Sequence, residues 1–105
     1  MRALVVEPEA EDEIARAVEW YEAQEAGLGT ALLSEIDVAM DGLAAGRVRG
    51  VGVPGLRHDL AVRRLLFDRF PYSLVFIEHQ GVVHVLAVAH QKREPGYWKD
   101  RVPPR

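Results

Sequence analysis

The chain has no cysteine. That excludes a disulfide scaffold, a thiolate metal site and a cysteine nucleophile, and it suits a reducing cytoplasm. No apolar run is long enough to span a bilayer, so no membrane segment is expected. The opening residues 1–8 lack the hydrophobic stretch of a signal peptide. Several catalytic signatures are missing too: there is no Gly-x-Ser-x-Gly, no dinucleotide fingerprint and no pairing of nucleophile with base. Residues 46–55 hold four glycines and Pro54, but no Gly-Lys-Ser/Thr follows and no helix begins there. They read as a loop, part of which can pair at a sheet edge, and not as a phosphate loop.

What is present suits one domain, residues 1–105, with one modest core. Apolar residues make up 49% of the chain, too many for a disordered segment. The net charge of -3 hides an asymmetry. Residues 1–46 carry 11 acids against 2 bases, a balance of -9, and residues 47–105 carry 5 acids against 11 bases, a balance of +6. The acidic half reads as a solvated helical face. The basic half can meet a polyanion or an acidic partner protein. All four histidines lie in that basic half.

Residues 3–6 form a short first strand, ended by Pro8. A helix follows from Glu9, with Glu9, Glu11, Asp12 and Glu13 favoured at the positive end of its dipole. Ala10, Ile14, Ala17, Val18 and Tyr21 form its buried stripe, and Asp12 and Arg16 are spaced to pair weakly. The acidic run therefore reads as helix electrostatics. Gly27 and Gly29 break the helix, and a second restarts near Thr30 with the stripe Leu32, Leu33, Ile36, Met40 and Leu43. Two helices joined this tightly form an antiparallel hairpin.

Three strands follow, over residues 60–67, 72–78 and 82–89, joined by short connections that make an antiparallel meander. Arg63 and Arg64 fall on opposite faces of the first. The expected class is α+β: an N-terminal strand and a helical hairpin packed on a small, mainly antiparallel sheet. The first strand joins one sheet edge. The tail from Lys99 to Arg105 is expected to be loose.

The strand over residues 82–89 organises the rest. It is apolar on both faces, hence central, and it stops abruptly at His90-Gln91-Lys92-Arg93. Simple alternation puts His84 and His90 on one face, about 20 Å apart at the strand rise, too far to share an ion. No other residues offer ligand spacing, so no metal and no cofactor is expected. His84 reads as a sheet-face histidine with one hydrogen bond, and His79 as a solvent-facing turn residue. His90 or Tyr97 as acid or base, with Arg93 for anionic charge, is a workable set for phosphodiester cleavage. In the competing reading His90 caps the sheet, Tyr97 and Trp98 cover a core edge, and the arginines are solvated.

Taken in order, Trp20-Tyr21-Glu22, Gly27-Leu28-Gly29, Phe70-Pro71-Tyr72, and residues 85–90 followed by Arg93, Pro95, Tyr97 and Trp98 resemble the RelE/ParE superfamily. These are toxins of bacterial type II toxin–antitoxin modules. The resemblance spans residues 10–101. It implies a growth-inhibiting, cytoplasmic toxin of plasmid-stabilisation type, neutralised by a cognate antitoxin protein that wraps around it in a heteromeric complex. RelE-type members cut ribosome-bound mRNA with basic residues and a C-terminal tyrosine; ParE-type members poison DNA gyrase. Arg64 and Tyr97 match RelE-type positions. Ser73 and Gln91 stand where further arginines are expected, so the ParE-like branch is favoured. In that branch Arg64, Arg69, Lys92, Arg93 and Lys99 contact the target and no chemistry occurs. The alternative is a ribosome-dependent endoribonuclease using His90, Arg93 and Tyr97, with Arg64 on phosphate. A third reading is an inactive relative that binds only its antitoxin.

Overall fold

The computed structural model describes residues 1–53 and 61–103. Pro54, Gly55 and Leu60 of the expected loop and strand, and Pro104 and Arg105 of the tail, lie outside the described residues. The elements are β1 (Ala3–Val6), α1 (Pro8–Gln24), α2 (Leu28–Ala44), β2 (Val51–Gly52), β3 (Arg63–Leu66), β4 (Tyr72–His79), β5 (Val82–His90) and a 3₁₀ turn (Lys99–Arg101). The strands form one sheet in the order β1-β5-β4-β3-β2. Among the described residues only β1 and β5 run parallel. The class is the α+β arrangement expected, and the first strand joins the edge of β5.

The hairpin forms because two stripes face the sheet together. Ala10 and Ala17 of α1 and Leu32, Ile36 and Leu43 of α2 are buried, and they share a core with Leu74, Phe76, Val83, Val85 and Val88. Leu33 departs from the expected stripe: it is 40% exposed, one residue beyond the face that meets the sheet. Asp12 and Arg16 make no ion pair among the described residues; α1 instead carries its ionic contacts elsewhere, as shown below.

The joint between the helices explains the Glu22 and Gly29 positions. The Glu22 carboxylate accepts the Gly27 amide at 2.8 Å and the Gly29 amide at 3.0 Å, capping α2 from the preceding helix. Gly27 takes a left-handed φ of 90° at the turn, a conformation that favours glycine. The Gly27 amide, and after it those of Gly29 and Thr30, hold the Glu22 carboxyl below its ordinary value, with desolvation opposing them. Gly29 is where the helices touch. A Cβ there would collide with the backbone carbonyl of Val18 and stand 2.9 Å from Glu22 Cβ. Gly29→Ala should therefore destabilise the chain by about 1–3 kcal/mol in urea unfolding. Alanine gains up to about 1 kcal/mol of helix propensity over glycine, so a stabilised variant would show that the helices have room to part.

The sheet is buried on both faces. The hairpin covers one. On the other, Val62, Val75, Ile77, Leu86, Ala87 and Ala89 pack beneath Trp98, with Val53, Tyr97 and Val102 around it. The tail from Lys99 reads as loose, but Lys99–Arg101 form a 3₁₀ turn and Val102 packs on this face with Tyr97 and Trp98. They stay because Trp98, 2% exposed, is a core residue.

A bulge in β5 changes which side chains share a face. Val75 pairs with Ala87 and Phe76 with Val85, so Leu86 is an extra residue without a partner on β4. Beyond it the alternation inverts. Val83 and Val85 face the hairpin, then Val88, while Leu86, Ala87 and Ala89 lie on the opposite side. His84 and His90 consequently lie on opposite faces, not on one. His84 does make its one expected bond, Nδ1 to Glu7 Oε1 at 3.2 Å. His79 is the last residue of β4, not a turn residue; it is partly buried, its ring 6.1 Å from that of His84.

Candidate functional site

The cationic end of β5 is built by a tight turn. Arg93 N–H donates to His90 O at 2.9 Å, and Lys92 N–H donates to His90 Nδ1 at 3.0 Å. With Nδ1 accepting, a neutral imidazole carries its proton on Nε2. The ring stands edge-on to Tyr72, centroids 5.1 Å apart. Gln91 N–H donates to Pro71 O at 2.8 Å, which brings the β3–β4 connection beside the turn. Arg69, 5.6 Å above the Phe70 ring, is thus at the same end of the sheet as Lys92 and Arg93. All three are exposed, as is Lys99.

Tyr97 is held from three directions. Its hydroxyl donates to Glu13 Oε2 at 2.7 Å. The Arg93 guanidinium lies 3.9 Å from its ring centroid, and that of Arg101 lies 5.1 Å away. Burial, then the hydrogen bond to the Glu13 carboxylate, push the phenol well above its ordinary value. Tyr97 is therefore a neutral donor at any physiological pH, with its proton committed to Glu13.

Arg64 and Ser73 line a cleft of about 50 Å³ with Val75, Ala89, His90 and Tyr97. The buried Arg64 Nε has no hydrogen-bond partner among the described residues. The cleft has the volume of one or two waters, at roughly 30 Å³ each.

The expected site residues thus share one end of the sheet. Arg64, His90 and Tyr97 border one cleft, Arg93 stacks on Tyr97, Lys92 follows His90 in the turn, Arg69 lies over Phe70 and Lys99 lies against Gly96. Two residues at this end were missed, Glu13 and Arg101. Glu13 Oε1 accepts Val88 N–H at 3.1 Å and Arg101 Nη1 at 3.0 Å, and Arg101 Nη1 also donates to Leu86 O at 3.0 Å. Burial works against the Arg101 charge, but the bond to and charge of Glu13 carry its pKa above the usual value. Within a run of four acids Glu13 looked like dipole compensation. The available signal was its spacing: Ala10, Glu13, Ile14 and Ala17 are one helix face.

The fold and the basic sheet end define a small α+β protein built on a helical hairpin, and comparison names its class. A model of the ParE toxin of type II toxin-antitoxin system, parDE, matches residues 4–95, and the chain belongs to that family. A solved structure described as the chromosomal ParDE TA system from P. aeruginosa shares the fold, with a TM-score of 0.71. It is 19% identical, and the match covers 86% of this chain and 96% of that one. No curated protein sequence matches. No helix among the described residues is long and apolar enough to cross a membrane.

Proposed function

We propose that this chain is the toxin of a parDE module, acting in the cytoplasm by binding DNA gyrase and held inactive by a cognate antitoxin protein. Its contact set for the target is Arg64, Arg69, Lys92, Arg93 and Lys99. The observation that carries the reading is the engagement of Tyr97, the acid–base group that a RelE-type nuclease would use. The Tyr97 hydroxyl donates to Glu13, while His90 Nδ1 accepts the Lys92 amide and keeps only Nε2 for other partners. A ribonuclease needs such groups free to reach the 2′-hydroxyl and the leaving oxygen. Inhibition by binding needs only a rigid, charged surface, and the strand end with its stacked arginine supplies one. The +6 balance beyond residue 46 supports an antitoxin segment that is acidic and amphipathic, laid over the sheet and hairpin.

The test is a supercoiling reaction with purified chain and gyrase. Inhibition should appear on adding the chain and be reversed by a stoichiometric amount of the protein encoded by the adjacent reading frame. The two should also co-purify when expressed together. Full supercoiling at saturating chain would contradict the gyrase reading; free chain beside its co-expressed neighbour would contradict the antitoxin.

A further inference from the structure

The edge of β5 is only half covered by a strand. β1 pairs with it as far as Val85, and Glu7 N–H closes the ladder on Val85 O at 3.0 Å. Beyond that point Leu86 C=O and Val88 N–H point to where a parallel neighbour would continue. Side chains take its place: Arg101 Nη1 donates to Leu86 O, and Glu13 Oε1 accepts from Val88 N–H. The two close on each other as an ion pair at 3.0 Å, both largely buried. Glu13 uses its second oxygen for the Tyr97 hydroxyl. One carboxylate on α1 thereby binds the sheet edge and both ends of the segment 97–101. That segment lies beyond residues 4–95, the range matched by the family model.

Two of the exposed cations depend on this segment for their geometry. Arg93 rests on the Tyr97 ring, and Lys99 sits in the 3₁₀ turn between Tyr97 and Arg101, its methylenes against Gly96. We propose that Glu13 is a positioning residue. It latches the C-terminal segment to the open edge of β5 and so fixes Arg93 and Lys99 as a preformed surface for the target. The second half of this rests on the gyrase reading above; the latch itself does not. A preformed surface binds more tightly than a loose one because the ordering cost is met before the encounter.

Amide exchange by NMR on the full chain tests the latch, with half-inhibition of gyrase supercoiling as its functional readout. In Glu13→Ala the amides of Val88 and of residues 97–102 should exchange at least tenfold faster. Those of residues 83–85, which face β1, should keep wild-type protection. The chain needed for half-inhibition should rise at least tenfold. Arg101→Ala removes the other half of the pair and should loosen the same amides, so the test survives if one variant folds poorly. Unchanged exchange at Val88 and residues 97–102 would overturn the latch. A loosened segment with unchanged inhibition would overturn the positioning role. Wild-type chain inert on gyrase would count against the proposed target alone, since the exchange result stands without it.

Discussion

Trp98→Ala should cost about 3–5 kcal/mol of unfolding free energy, the range for truncating a fully buried aromatic. Trp98 is 2% exposed and clusters with Leu86, Ala87 and Ala89 on the face away from the helical hairpin. Its removal leaves a cavity that Val102 and Val53, both partly exposed, cannot fill without moving the segment. Domains of this size have about 5–15 kcal/mol in total, so the variant should sit near the edge of folding. Trp20 is the control. It is 58% exposed on α1 and touches Tyr21 edge-on at 5.0 Å. Trp20→Ala should cost about 1 kcal/mol or less. Urea unfolding of both variants decides the matter. Equal costs would mean that the C-terminal segment contributes no core.

How much of this was legible in the sequence depended on whether the signal was local. The helical stripes were, because Ala10, Ala17, Leu32, Ile36 and Leu43 repeat at helical spacing and need only one face of neighbours. β5 carried no usable alternation. It is apolar at nearly every position, so nothing in the sequence marks Leu86 as the extra residue that inverts the faces. His84 and His90 were misplaced together for that reason. The cations after His90 were legible because they are contiguous. Their support was not: Tyr97 and Arg101 reach Glu13 across 84 and 88 residues. The tail reads as loose because Pro103 and Pro104 mark its composition, whereas its Val102 packs beside the buried Trp98.

Reversing the charge at Arg93 and Lys99 together should abolish gyrase inhibition, raising the concentration for half-effect at least a hundredfold. Both side chains are exposed, so their removal leaves no buried partner unpaired. The Arg93 stack on Tyr97 is worth roughly 0.5–1 kcal/mol, and the stability of the double variant should fall by no more than about that. Binding is a different matter. Placing like charges across a complementary interface costs several kcal/mol, which is two or more orders of magnitude in affinity. The comparison is Arg93→Glu with Lys99→Glu against wild type, read by supercoiling and by urea unfolding. Retained inhibition in a folded double variant would move the contact surface away from this end of the sheet.

Inhibition by binding requires that Tyr97 perform no chemistry. The most direct measurement sets wild type and Tyr97→Phe side by side on two reactions, supercoiling by gyrase and cleavage of mRNA on ribosomes. Phenylalanine keeps the ring beneath Arg93 and leaves Glu13 with Val88 and Arg101, so only the hydroxyl is lost. Both proteins should inhibit supercoiling within a few-fold of each other, because Val88 and Arg101 still hold Glu13, and neither should cut mRNA if inhibition is by binding. Ribosome-bound mRNA cut by wild type and spared by Tyr97→Phe, a loss of 10²- to 10⁴-fold for one acid–base group, would contradict it.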